Sequence, residues 1–179
     1  MVVESPNPRQ VRSMRPPIRR TVLTVHIIAS VALLGEVWGL VVLNSAAALT
    51  NDPALAHAAY RLMPNLVFAG GIPLSLIALA TGITLGLSSH WGLFRYYWVT
   101  VKLGLLVAVI CIGMFVFDPE GMAAATEGGA AAAAPAQWGQ TAALVAQCVM
   151  LVVSTVLSVF KPRWRLRAST PATAGHEHR

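Results

Sequence analysis

Three ionisable side chains stand inside long apolar runs of the sequence, where a charge is costly. His26 and Glu36 occur in "TVLTVHIIASVALLGEVWGLVVLNS", and Lys102 lies one turn inside "YYWVTVKLGLLVAVICIGMFVF". A charge at the centre of a bilayer costs roughly 3 kcal/mol or more, so such residues often mark functional sites. Imidazole can carry a proton or bind a metal, and a carboxylate or an ammonium can carry a proton or hold an ion of opposite charge.

The runs around these residues predict transmembrane helices. The chain has 179 residues, 56% of them apolar and 11% charged, and its mean hydropathy is +0.65. Soluble domains carry about 25% charged residues. Four apolar stretches, about 21–43, 64–87, 97–117 and 138–160, each have the roughly 20 residues that a helix needs to cross a bilayer. Without an alternating barrel pattern, they predict an all-α integral membrane four-helix bundle.

The charge distribution predicts an orientation for this bundle. The expected organisation is a disordered basic arm over 1–17, a transmembrane domain over 18–162 and a disordered tail over 163–179. Eleven basic residues fall in the arm, the tail and the turn between spans two and three, against one, Arg61, in the opposite loops. The positive-inside rule therefore predicts a cell-membrane protein with both termini cytoplasmic. The basic ends favour anionic lipid headgroups as partners, not nucleic acid.

Polar residues within the spans predict a shared interior layer. On a helix with 100° per residue, His26, Ser30 and Asn44 fall within about 40° of one another. Similar arcs hold Thr81, Thr84 and Ser88 on span two, and Gln140, Gln147, Ser154 and Ser158 on span four. A rise of 1.5 Å per residue puts His26, Lys102, Thr81, Thr84, Ser154 and Ser158 at a similar depth near the cytoplasmic side. Glu36 and Gln147 come nearer the outside.

A purely structural role explains part of this pattern. Lys102 is close enough to the interface for its ammonium to reach the headgroups. Serine and threonine often bond to their own helix backbone, and glutamine can join helices at about 0.6 kcal/mol per contact. Glu36 resists this interpretation, because it must be protonated, paired with Arg61, or facing water.

The connections predict less chemistry than the spans. The loop "NDPALAHAAYRLMP" favours a short interfacial helix, whereas the alanine- and glycine-rich 118–137 is expected to be a spacer. Gly70, Gly71 and Pro73 should kink or loosen the outer half of span two. The pairs "GEVWG" and "GITLG" permit close helix approach and a homodimer.

Two segments, "HIIASVALLGEVWG" and "TGITLGLSSHWGLFRYYWVTVKLGLLV", carry a family resemblance. They resemble an uncharacterised group of four-helix bacterial membrane proteins, a domain of unknown function. That group is similar to the copper-resistance-D-like superfamily, which includes the four-helix protoporphyrinogen oxidases. The run from Trp91 to Lys102 is its most specific part. The resemblance implies that His26 and Lys102 occupy functional positions, with His26 linked to haem.

Three functions stay open at the level of sequence. The chain could be a membrane protein whose polar core serves packing or partner contact. It could be a haem- or tetrapyrrole-binding redox protein, with His26 as the iron ligand and Lys102 serving a propionate or a proton transfer. It could be a conduit for a metal ion or a proton, with His26 as the metal-binding residue. No second histidine lies inside a span, so one chain does not provide bis-histidine haem ligation.

Overall fold

The computed structural model describes residues 15–88 and 97–160, and within them every regular element is helical. The elements are α1 (Pro16–Leu49), α2 (Pro53–Leu66), a π-helical segment (Val67–Gly71), α3 (Ile72–Leu87), α4 (Tyr97–Phe115), α5 (Pro119–Ala125), a 3-10 turn (Glu127–Gly129) and α6 (Ala134–Phe160). Four largely helical stretches in this range are long and apolar enough to cross a membrane: Pro16–Leu49, Pro53–Leu87, Trp98–Ala125 and Ala134–Phe160. The predicted all-α four-helix architecture is confirmed.

The helices begin and end differently from the predicted spans because local capping extends them. α1 starts at Pro16, inside the arm predicted to be disordered, since proline suits the first turn of a helix. α2 starts after Asp52, whose side chain accepts a hydrogen bond from the Ala54 amide at 2.9 Å, a typical N-cap. The predicted interfacial helix is therefore α2, and it continues through the π-helical segment into α3.

The widened turn lies where Gly70, Gly71 and Pro73 predicted a loosened helix. Val67–Gly71 forms a single π-helical turn, and the amide of Ile72 bonds to the carbonyl of Val67, five residues earlier. Such turns insert one residue into an α-helix and occur frequently at functional sites. Here the turn joins α2 to α3 and faces α1.

Many of the large apolar side chains on the four helices are not covered by protein. Examples on different helices are Val31 at 65% exposure, Leu87 at 66% and Val159 at 72%. Apolar surface on this scale is rare on soluble monomers, but it is what a helix bundle presents to lipid. The chain is a multi-pass membrane protein.

Two apolar clusters hold the bundle together. At the end that carries α2 and α5, which we call the loop end, the buried side chains of Leu40, Val41, Ala47, Ala59, Tyr60, Met63, Phe117, Met122, Ala132 and Leu144 form one core. Near the middle of the bundle, Leu33, Val37, Val109 and Leu151 form a second cluster, which we call the apolar layer. The other end of the bundle, where α1 begins and α6 ends, is called the terminal end.

The alanine- and glycine-rich segment 118–137 is more structured than a spacer. It contains α5, the 3-10 turn and the start of α6. Met122 and Ala132 enter the loop-end core. Thr126 is 1% exposed, and its hydroxyl meets Nδ1 of His57 at 3.1 Å. This segment closes the loop end over α2, which composition alone did not indicate.

Candidate functional site

Near the terminal end, His26 is held in one orientation by the facing helix α3. Its Nδ1 lies 2.9 Å from the hydroxyl of Thr81 and 3.1 Å from the carbonyl oxygen of Ala78. Thr81 in turn donates to the carbonyl of Ile77 at 2.6 Å. Both contacts of the imidazole use Nδ1, so Nε2 is the ring atom that could take a proton or a ligand.

A glycine lets the histidine approach α3 closely. A Cβ atom added at Gly82 would lie 3.2 Å from Cε1 of His26, tighter than an ordinary van der Waals contact. Gly82 belongs to the "GITLG" pair, for which the sequence predicted close helix packing. The close neighbour is thus the imidazole of α1 within the same chain.

Lys102 turns into the bundle. Its ammonium donates a hydrogen bond to the hydroxyl of Ser158 on α6 at 2.5 Å, and that hydroxyl donates to the carbonyl of Ser154 at 3.1 Å. Lys102 is also close enough to His26 for a direct Coulombic interaction. The four residues His26, Thr81, Lys102 and Ser158, from four different helices, form what we call the terminal polar layer.

The other predicted polar residues of this depth contribute less. Ser30 and Ser154 are half-buried, while Thr84 is exposed. The hydroxyl of Thr84 donates to its own helix, to the carbonyl of Ala80 at 2.7 Å. The expectation that Thr84 lies in the polar core is not met, because a rotation of about 60° from Thr81 carries it onto the exposed surface.

Glu36 lies on the other side of the apolar layer, against the π-helical turn. A Cβ added at Gly71 would lie 3.0 Å from Oε1 of Glu36, and one at Gly70 would lie 3.4 Å from its Cγ. Oε1 is buried and has no hydrogen-bond partner. Arg61, the partner considered from the sequence, is exposed. An unsatisfied buried acceptor costs roughly 1–3 kcal/mol, so this carboxyl group requires an explanation.

A cavity of about 400 Å³ adjoins Glu36. Its walls come from α1, the π-helical turn, α3, α4 and α6, and it runs from Leu33 in the apolar layer to Asp118 and Glu120 at the loop end. Gln147 also faces it, with Nε2 donating to the carbonyl of Val109 at 2.9 Å. A Cβ at Gly113 would lie 3.2 Å from that nitrogen. We call this space the Glu36 cavity.

Two polar contacts were not anticipated. Asn44, predicted on the stripe of His26, is fully buried, and its Nδ2 donates to Thr141 Oγ1 on α6 at 2.7 Å. His57 contacts Thr126, as described above. In both cases the partner lies in or next to the alanine- and glycine-rich segment 118–137, so the alignment of polar residues along a helix could not predict it.

Within 15–88 and 97–160, no three His, Cys, Asp or Glu side chains converge as a metal site. Cys111 is exposed and Cys148 is half-buried, and neither forms a disulfide. His26 is not among the residues that line the Glu36 cavity. A tetrapyrrole held by His26 would therefore lie outside the Glu36 cavity.

No family model, no curated protein and no solved structure matches this chain. The resemblance to the copper-resistance-D-like proteins stays a prediction, and half of its specific run, residues 91–96, lies outside the described residues. What the fold defines is the class: a multi-pass membrane protein with polar side chains inside its helix bundle.

Proposed function

We propose that this protein is a cell-membrane protein of the copper-resistance-D-like type, with both termini cytoplasmic, that transfers protons through its bundle. The inner proton site is His26 with Lys102, and the outer one is Glu36. The observation that supports this most is the terminal polar layer, in which the imidazole of His26 and the ammonium of Lys102 are each held inside the bundle by a hydroxyl of a facing helix.

The chemistry follows from the two sites. His26 exchanges a proton through Nε2, while Thr81 holds the opposite side of the ring. Lys102, held by Ser158, is the second group of this layer that can carry a proton. Glu36 takes up a proton from the loop end, because Oε1 has no other donor. The apolar layer between the sites separates them, so transfer requires water to enter between Leu33 and Val109.

Proton flux into liposomes tests the proposal. The full-length chain is reconstituted with a pH dye inside, and a potassium diffusion potential drives proton entry. We expect flux above that of empty liposomes and at least a tenfold loss in His26→Phe and in Glu36→Gln. His57→Gln and Glu127→Gln are matched controls at the loop end and should keep the wild-type rate. Equal rates in wild type, His26→Phe and Glu36→Gln would disprove proton transfer through these residues.

Tetrapyrrole binding is the second candidate function, and one observation favours it. Histidines that ligate metals usually have their other ring nitrogen held by a hydrogen-bonding partner, as Nδ1 of His26 is held by Thr81 and the Ala78 carbonyl. A bound haem would supply redox chemistry, and Lys102 would be placed to bind a propionate. Protein purified from cells supplied with haem should then show a Soret band that is lost in His26→Phe but kept in His57→Gln. A featureless wild-type spectrum rules this candidate out.

A further inference from the structure

The Glu36 cavity combines a negative interior with mostly apolar walls. Three of its lining side chains are acids, Glu36, Asp118 and Glu120, and none of the lining residues is basic. The remaining walls are mainly aliphatic and aromatic, apart from Ser75 and Gln147. Ligand sites are typically apolar cavities with a few convergent polar groups. The sign of these groups indicates a cation.

The shape and the aromatic side chains indicate that the cation has an apolar body. Phe68, from the π-helical turn, and Phe117, from the link between α4 and α5, both line the cavity, and aromatic faces attract cations, most strongly where water is excluded. A bare metal ion would need several oxygen ligands close together, and no such cluster is present in the described part of the chain. An organic ammonium needs only one carboxylate and apolar contacts.

The cavity is accessible from two directions. Asp118 and Glu120 are exposed at the loop end, where they would attract a cation from water. Phe68 of the π-helical turn, Leu76 of α3 and Met114 of α4 are lining residues that are 63%, 54% and 69% exposed. Since these surfaces face lipid, an amphipathic molecule could also enter from the bilayer.

Glycines let two polar side chains of this cavity lie closely against facing helices. A side chain at Gly71 would press on the Glu36 carboxyl group, and one at Gly113, in α4, would press on Gln147. Among the described residues Oε1 of Glu36 has no hydrogen-bond partner, and the cavity beside it is not filled by protein. Packing alone would favour filling this space, because unfilled volume in a core costs stability.

From this geometry we infer that the Glu36 cavity binds a small lipophilic organic cation, with Glu36 as its counter-ion and Phe68 and Phe117 beside its charged group. The site shares Glu36 with the proposed proton pathway. Cation binding at equilibrium requires no proton movement, so it stands or falls independently of the flux experiment.

Binding of radiolabelled benzyltrimethylammonium to the detergent-purified full-length chain tests the inference. We expect saturable binding at one site per chain. Tetramethylammonium, which has the charge without the apolar body, and neopentylbenzene, which has the shape without the charge, should each compete at least tenfold more weakly than unlabelled probe. Absence of saturable binding would overturn the inference. Equal competition by neopentylbenzene would do the same and would identify a pocket for neutral chains, such as lipid tails.

Variants locate the site within the protein. Glu36→Gln should weaken binding at least tenfold, and Ser75→Phe, which fills the cavity from α3, should abolish it. Glu127→Gln, an exposed acid outside the cavity, should change the affinity less than twofold. The thermal unfolding midpoint of each variant shows whether it is folded. Wild-type affinity in a folded Glu36→Gln variant would contradict the assignment of the counter-ion, and wild-type affinity in a folded Ser75→Phe variant would contradict the location.

Discussion

The terminal polar layer and the Glu36 cavity both place an ionisable group inside the bundle, but they treat its hydrogen-bonding capacity in opposite ways. In the terminal polar layer, His26 is matched by Thr81 and Lys102 by Ser158, with glycine used to bring side chains together. In the Glu36 cavity, glycine again permits a close approach, but a carboxyl oxygen has no hydrogen-bond partner among the described residues. The first arrangement stabilises the protein. The second reduces its stability and leaves a hydrogen-bond acceptor unused beside a cavity, which indicates where a ligand would bind.

Gly82→Leu should produce the largest effect, by breaking the terminal polar layer. The new side chain would collide with His26, and overpacking of this kind costs about 1–3 kcal/mol. The unfolding midpoint in detergent should fall. Gly104→Leu is the matched control, because nothing lies within 4 Å of a Cβ at Gly104. Equal midpoints for the two variants would mean that α1 and α3 do not pack through this contact.

Glu36→Leu should change the stability of the protein in the opposite direction. It removes the unpartnered oxygen and fills part of the cavity with apolar atoms, which should stabilise the protein by about 1–3 kcal/mol. The midpoint should rise while cation binding is lost, a trade-off expected where a site is kept for function. Glu127→Leu replaces an exposed acid and should leave both unchanged. A fall in the midpoint of Glu36→Leu would show that the carboxyl group stabilises the fold.

Lys102→Met sharpens the comparison, because it keeps the length of the side chain and removes the bond to Ser158. Interhelical hydrogen bonds in membranes contribute about 0.6 kcal/mol on average, and at most about 1.7. The free-energy cost of losing this hydrogen bond, whose donor is charged, should fall in the upper part of that range. The effect should be non-additive with Ser158→Ala in a double-mutant cycle. Full additivity would indicate that the two residues do not interact in the folded protein.

Thr81→Val should reduce the stability by only about 0.6 kcal/mol, since the carbonyl of Ala78 still contacts His26. Thr84→Val removes an equivalent hydroxyl that bonds only within its own helix, and its effect should be smaller still. The nuclear magnetic resonance signals of a ring-labelled His26 provide a second readout, and they should shift in Thr81→Val alone. The same shift in both variants would argue against a specific contact.

Helical periodicity and depth were sufficient to predict the four spans and to bring His26, Thr81, Lys102 and Ser158 to one depth, because a straight helix fixes rise and rotation per residue. The same rule placed Thr84 inside, where the structure has it exposed, since an arc of about 60° spans both the buried and the exposed sides of a helix. The residues that surround Glu36 could not be predicted. They depend on a π-helical turn at Val67–Gly71. The extra residue of this turn rotates the positions before it relative to the positions after it.

The resemblance to the copper-resistance-D-like proteins predicted one more feature, a functional role for His26 and Lys102. In the structure these two side chains bond to different hydroxyls, those of Ser158 and Thr81, and their functional role stays a prediction. The Glu36 cavity was not part of that expectation. Its acids come from α1 and from the segment around α5, which composition had suggested to be a spacer.

The length of α1 has a consequence for how this protein meets water. Its 34 residues extend about 50 Å at 1.5 Å per residue, whereas the hydrocarbon region is about 30 Å thick. We expect the part of the surplus at the loop end, together with α2 and α5, to project from the bilayer around the packed core of Tyr60 and Met63. A rigid projection of this kind offers antibody fragments an epitope, which could serve to fix the orientation of this small bundle in electron microscopy.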